Sequence, residues 1–222
     1  MKKLLSFLTG TLIFIVLPMI AWWIFNLEIY FNNIERLLYI IVMMIMNILV
    51  IAMIPNEGKG VWEGEKLMKK HKISLRALQI IPVCILIVSP IFDRSQTFSL
   101  GEYERIRILG VIFVVLGFVL MNWSAYILGK QFSTDVTIQK EHELITTGPY
   151  KRIRHPRYLG IIIFFLWVAW VFNSLISALL VVILGGFLIR RIYDEEKIMK
   201  KEFTKKRKSY TKKSWKLVPF IR

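Results

Sequence analysis

The chain has 222 residues, 55% of them apolar, and carries 31 Lys and Arg against 15 Asp and Glu. Five runs contain no charge at all: Leu4–Leu27, Leu37–Ile54, Ala77–Phe92, Ile108–Gly129 and Tyr158–Ile189. A soluble core helix seldom needs more than about 10–14 apolar residues in a row, whereas a bilayer needs about 20, so a soluble globule, a disordered chain and a coiled coil are excluded.

Taken in order, the first run predicts a helix over 4–26. Its apolar stretch is too long for a cleaved signal peptide and no small-x-small site follows it, so it reads as a retained span. Trp22 and Trp23 near its end suit an interfacial belt. A second span is expected over 37–54. The loop 55–76 then carries six basic residues and has room for a short interfacial helix. The third span, 77–92, is short and holds Pro82 and Pro90, which suggests tilt or a kink. The fourth is 108–129.

The last run, 158–189, is too long for one helix and barely long enough for two. Asn173-Ser174 interrupts it, leaving arms of about 15 residues, each covering about 22 Å. A tight helical hairpin follows, with arms not fully crossing. The fold class is therefore all-α and membrane-integral, with four spanning helices plus a C-terminal hairpin, about six membrane segments. No repeat or linker divides it: residues 1–222 form one membrane domain, with N-terminal helices over 1–104 and a half that carries the chemistry over 105–222.

Basic residues alternate between rich and poor loops. If the rich ones share a side, that side holds 27 of the 31 Lys and Arg, the bias of cytoplasmic loops; both termini are then expected in the cytoplasm. The basic tail would lie where anionic headgroups attract it. No nucleic-acid partner is expected, because no aromatic-basic recognition module accompanies the charge. Cys84 is the single cysteine, so neither a disulfide framework nor a cysteine metal site can form, and no metal is expected.

Two polar stretches flank the hairpin. The first runs from His142 to Gly160. Gly148-Pro149 marks a turn, and Pro156 is placed to start a helix, because its missing N–H would be an orphan there anyway. With His155 beside it, that helix N-terminus suits an anionic group. The competing reading is that Lys151, Arg152, Arg154 and Arg157 only anchor the helix at the lipid surface. In the second stretch, Arg191 and Glu195 are four apart on a helix leaving the hairpin. The pair is either an ordinary surface ion pair or part of an acidic run, Asp194-Glu195-Glu196, that meets a cation such as a sulfonium or an ammonium.

Gly-Pro-Tyr, then His-Pro-x-Tyr-x-Gly, then an acidic cluster preceded by arginine about 35 residues on resembles the isoprenylcysteine carboxyl methyltransferase family, related to the membrane phospholipid methyltransferases. The resemblance covers roughly 105–222 and includes the closing Tyr210 and Pro219-Phe220. It implies an S-adenosylmethionine-dependent methyltransferase, with a cytoplasmic cofactor site and a lipophilic acceptor, most readily a prenylcysteine carboxylate, arriving from the bilayer. Carried over, the cofactor contacts fall on His142, Glu143, Leu144, Ile145, Tyr150, His155, Pro156, Arg157, Tyr158 and Glu195. The arginine that holds the substrate carboxylate falls on Arg191, and Glu195 stands with it in the catalytic pair. Arg157 occupies the variable position of its motif, and Glu143 a loosely specified one. A phospholipid amine or a thiol acceptor stays open. From other classes, a steroid-type reductase using NADPH and a non-catalytic lipid-binding protein are the rivals. The acidic cluster argues against the reductase, whose cofactor phosphate would favour basic contacts. Oligomeric state is not readable from these residues.

Overall fold

The computed structural model describes residues 2–23, 27–53, 65–66, 72–101, 104–129, 137–138, 144–202 and 204–218. Among these the chain is helical: α1 (Lys2–Thr11), α2 (Leu17–Trp23), α3 (Leu27–Phe31), α4 (Ile34–Met53), α5 (Lys72–Ser95), α6 (Glu104–Leu128), α7 (Pro156–Val171), α8 (Leu175–Glu202) and α9 (Thr204–Lys213). A π-helical segment, Leu12–Val16, joins α1 to α2. The only sheet among the described residues pairs β1 (Glu65–Lys66) with β2 (Thr137–Ile138). That pair brings two of the basic-rich loops together at one end of the bundle. The expected interfacial helix within 55–76 otherwise falls outside the described residues.

Five helices are long and apolar enough to cross a membrane: Lys3–Trp22, Ile34–Ile51, Arg76–Ser95, Glu104–Leu128 and Leu175–Lys197. Their outer faces expose Leu8, Leu12, Ile41, Ile45, Ile112, Leu116, Val182 and Ile183, an apolar belt suited to lipid. The protein is an integral membrane protein. Two expectations need correction. The third span is a 24-residue helix containing both prolines, because the polar turns flanking its apolar run remain helical. The arms of the hairpin are unequal: α7 has 16 residues and α8 has 28. The short arm covers about 24 Å, less than the roughly 30 Å hydrocarbon core. The long arm continues past the apolar run into the charged stretch.

The hairpin turns where expected. Asn173 adopts φ 48°, a left-handed conformation that asparagine tolerates better than most residues. Its Oδ1 accepts from the Leu100 N–H at 2.9 Å, and the Leu175 N–H donates to the Phe98 carbonyl at 2.9 Å. The turn is thus fastened to the α5–α6 connection.

The tightest packing lies between α6 and α7. A Cβ added at Gly117 would sit 2.5 Å from the Phe164 amide nitrogen, and one at Gly160 would sit 2.7 Å from that of Met121. Backbones approach this closely only where side chains are absent, the usual device when lipid offers helices no hydrophobic drive to associate. Phe113 stacks on Trp167 beside this contact, with ring centroids 4.3 Å apart.

Charges at the end of the bundle that bears the turn are buried together. Asp93 accepts from the Trp22 indole at 3.1 Å and pairs with Arg36 at 3.0 Å and Arg107 at 2.9 Å. Arg107 also reaches Glu35 at 3.5 Å and donates to the Val171 carbonyl at the end of α7 at 2.9 Å. Trp22 is therefore not an interfacial anchor: it is buried, with the Arg36 guanidinium 4.5 Å from its ring centre.

Gly117→Ala and Gly160→Ala should each destabilise the protein by about 1–3 kcal/mol, the range for forcing extra carbon into a filled contact. Gly185→Ala, where nothing lies within 4 Å, should be harmless or slightly stabilising, since alanine favours helix. Denaturant unfolding in detergent micelles measures all three, and equal stability of the three variants would refute the close-packing argument.

Candidate functional site

His155 is the residue that introduces α7, with Pro156 as the first helical position as expected. The preceding turn is a 3-10 segment, Gly148–Lys151, entered through Gly148 at φ 56°. Gly148 takes a left-handed conformation that favours glycine. Tyr150 is buried, and its hydroxyl donates to the Ser124 carbonyl at 3.4 Å, which ties the turn to α6.

Because α7 and α8 run antiparallel, the start of one meets the exit of the other. The Tyr158 hydroxyl donates a short hydrogen bond to Glu195 Oε1. The same hydroxyl accepts from Arg191 Nε at 2.8 Å, and Arg191 Nε lies 3.0 Å from Glu195 Oε1. Arg191 and Tyr158 are buried, and the arginine side chain is far less exposed than a surface ion pair would be. The surface-pair reading of these two residues therefore fails. The separate roles expected for them do not correspond to separate places either, since each touches the other.

His155 stands between two carboxylates: Nδ1 lies 3.5 Å from Glu195 Oε2, and Nε2 lies 3.4 Å from Glu196 Oε1. Its ring is stacked at 9° to that of Tyr158, with centroids 5.8 Å apart. A neutral imidazole has one N–H and can serve one of these acceptors; the imidazolium serves both. Burial alone would lower the pKa of His155, but its bonds to Glu195 and Glu196 outweigh that and hold it above the usual 6.5. Burial pushes Tyr210 up to about 12 and Tyr150 higher still, so both act as hydrogen-bonding groups and not as acids.

The C-terminal segment completes the cluster, which pattern reading did not foresee beyond noting Tyr210. The Arg154 N–H donates to the Trp215 carbonyl at 2.8 Å, the His155 N–H to that of Lys216 at 3.2 Å, and the Trp215 N–H to that of Arg152 at 2.8 Å. The Tyr210 hydroxyl donates to the Tyr150 carbonyl at 2.5 Å. The Arg154 side chain donates to Glu196 at 2.8 Å and to the Ser214 carbonyl at 2.6 Å. Arg154 is therefore internal and not a lipid anchor, whereas Lys151 and Arg152 are exposed as anchors would be. The signal for Arg154 was its place directly before His155 at the membrane boundary, where a buried arginine needs acceptors.

The structure thus brings together Tyr150, His155, Pro156, Tyr158, Arg191 and Glu195 of the expected residues. Arg157, half-buried, follows in the first turn of α7. Leu144 and Ile145 are half-buried in the segment leading to Gly148. His142, Glu143, Pro219 and Phe220 lie outside the described residues. Chemically, the site offers carboxylates to a cation, and arginine and imidazolium groups to an anion, at the boundary between an apolar helix pair and a polar end.

The chain is similar to known proteins of one family. A model of the isoprenylcysteine carboxyl methyltransferase (ICMT) family matches residues 110–201. A protein of Oryza sativa subsp. indica named "Probable protein-S-isoprenylcysteine O-methyltransferase" is 30% identical over 129 residues, covering 55% of this chain and 66% of that protein. The Saccharomyces cerevisiae protein-S-isoprenylcysteine O-methyltransferase is 32% identical over 143 residues, covering 61% of this chain and 59% of its own. The chain thus spans about two thirds or less of these two relatives. The solved structure of a eukaryotic intramembrane Ras methyltransferase, ICMT, shares the fold at a TM-score of 0.50 and 18% identity, over 99% of this chain and 96% of that one.

A protonated His155 stabilises the fold fully below its unfolded value, near 6.5, and that contribution is lost as pH rises through the higher folded value. The stability difference between wild type and His155→Gln should accordingly be largest in mild acid and shrink as the solution turns alkaline. Parallel unfolding curves across that range decide it; a difference that grows with pH would reverse the assignment.

Proposed function

We propose that the chain, whose residues 110–201 match the isoprenylcysteine carboxyl methyltransferase family model, is a membrane-embedded methyltransferase that esterifies a prenylcysteine-like carboxylate with S-adenosylmethionine as methyl donor. The observation that carries the proposal is the Tyr158–Arg191–Glu195 contact at the end of the hairpin.

When bound, S-adenosylmethionine supplies a methyl group on a positively charged sulfonium. The residues present fit such a group. Glu195 and Glu196 keep about a fifth of their side-chain surface open, 22% and 19%, so they offer negative charge without being sealed. On this reading, Tyr150, His155, Pro156, Arg157, Tyr158 and Glu195 hold the donor, together with Leu144 and Ile145 and, in the segment before them, His142 and Glu143. Tyr158 and His155 orient Glu195 through both of its oxygens. Arg191 receives the acceptor carboxylate; a guanidinium matches that planar anion.

A carboxylate is already ionised at neutral pH and asks for no proton to be removed, so positioning supplies most of the catalysis. An amine or thiol acceptor would need a base. His155 is poorly suited to that, because both of its nitrogens face carboxylates that favour the protonated ring. Glu195 is engaged by Tyr158 and Arg191 and Glu196 by Arg154, which makes them weak bases too. Together these contacts support a carboxyl acceptor over a phospholipid amine.

The expected orientation places this end in the cytoplasm, because the loops joined by β1 and β2 and the C-terminal tail carry most of the Lys and Arg. Lipophilic acceptors, including lipidated proteins, would then arrive through the bilayer, and the polar donor from the aqueous side. The chain acts as one membrane domain, its 1–104 helices supporting the half over 105–222.

Purified protein should transfer labelled methyl from S-adenosylmethionine to an N-acetyl prenylcysteine and not to phosphatidylethanolamine. Arg191→Lys keeps the charge but cannot bridge Tyr158, Glu195 and a carboxylate, so turnover should fall roughly tenfold or more. Because Arg191 also steadies Glu195, donor affinity should weaken as well. Methylation of the amine lipid alone would move the protein to phospholipid chemistry, and full activity of Arg191→Lys would remove the role assigned to it.

Epitope tags at Lys66 and after Arg222 should both resist protease added to intact cells. Digestion of either tag would overturn the orientation without bearing on the chemistry.

A further inference from the structure

Six of the ten residues of α9 are basic and none is acidic. From Lys197 to Lys216 the chain carries ten Lys and Arg against the single acid Glu202. By helical register, positions 205, 208 and 212 form one stripe, opposite the position of Tyr210. Lys212 and Lys213 are exposed. Like charges at spacings of three and four weaken a helix, and ten residues are too few for a helix to persist unaided in water. On one side α9 is held by the candidate site: Tyr210 bonds the Tyr150 carbonyl, while Ser214, just past the helix, bonds both the Tyr210 carbonyl and the Arg154 guanidinium. The helix carries no acid to compensate its positive charge.

We infer that the basic stripe of α9 docks on anionic lipid headgroups, and that this docking braces the site through Tyr210, Ser214 and Arg154. The partner is a lipid surface because α9 and the residue after it are bonded to Tyr150 and Arg154, beside the point where the apolar helix α7 begins. That holds the segment near the end of the apolar bundle, where basic residues within a Debye length of about 8–10 Å of anionic headgroups are attracted. Each lysine near such a surface contributes about a fivefold factor in attraction. The brace is direct: Arg154 touches both Ser214 and Glu196, and Glu196 touches His155. The docking surface stands by itself; the predicted effect on methyl-donor affinity rests on the function proposed above.

The test uses the full chain in nanodiscs of phosphatidylcholine, alone or mixed with phosphatidylglycerol, as wild type and as Lys205→Gln/Lys208→Gln/Lys212→Gln. Hydrogen exchange over 204–216 reads docking, and S-adenosylmethionine titration reads the brace. Wild type should show slower exchange across α9 in the anionic discs, a protection that salt removes, and a donor affinity raised at least severalfold. The triple variant should show neither change and should match wild type in phosphatidylcholine alone. Equal exchange of wild type in the two discs would overturn the inference, as would protection of α9 by an added oligonucleotide in place of anionic lipid. Protection without any change in donor affinity would overturn the brace. Protection by anionic lipid with no S-adenosylmethionine binding in either disc would uphold the docking surface and sink the proposed function instead.

Discussion

Placement of the site rests on one backbone contact, the crossing of α6 and α7 at Gly117 and Gly160. α7 is too short to span the hydrocarbon core, so its height and rotation cannot be set by matching the bilayer, as they are for a full span. They are set by what it touches. The glycine contact fixes its first half against α6, and Arg107 holds the Val171 carbonyl at its far end. His155 caps this clamped helix and Tyr158 lies in its first turn, so their positions follow from packing that begins within the next two turns. α8 is then brought back by a turn that is itself bonded to the α5–α6 connection, which delivers Arg191 and Glu195 to the same end.

The two roles expected for Arg191 and Glu195 become one mechanical unit. Tyr158 donates to Glu195 and accepts from Arg191, so its hydroxyl is a hinge between the residue proposed for the acceptor and the residue proposed for the donor. A change that moves one group moves the other. Such residues act non-additively, and the effect of removing either is a difference measurement and not a share of the rate.

Much of this architecture was legible in the chain. Uncharged runs gave the spans, and Asn173-Ser174 gave the turn, because composition and the cost of exposing backbone to lipid leave few alternatives. The helical spacing of Arg191 and Glu195 placed them on one face. Helix ends were less legible, since α5 and α8 continue through charged residues that a hydropathy reading takes as loop. Trp22 was misread because an aromatic residue near the end of a span looks the same whether it meets headgroups or a buried Asp93, some 70 residues distant. The competing reading of Arg154 as a lipid anchor could not be dismissed from the sequence for the same reason: its acceptors, Glu196 and Ser214, are supplied by segments 42 and 60 residues away, and local pattern carries no trace of them.

Two charged clusters, at opposite ends of the bundle, show why only one reads as a site. Around Asp93 the side chains are nearly sealed, with exposures of 2% for Asp93, 4% for Glu35, 7% for Arg36 and 13% for Arg107. Two acids meet two arginines, so the charge is closed within the protein. Burying such a set costs desolvation that only complete pairing offsets, which is the mark of a structural tie between helices. At the other end Glu195 and Glu196 stay partly open, while Arg154, Arg157, Arg191 and His155, whose protonated form the two carboxylates favour, surround them. Arginines outnumber the two carboxylates there. An anionic acceptor would balance the excess, and Glu195 and Glu196 leave negative charge open for a cationic donor. Around Asp93 the charge is closed within the protein, whereas around Glu195 it is left open, and that difference favours the second cluster as the place for charged ligands.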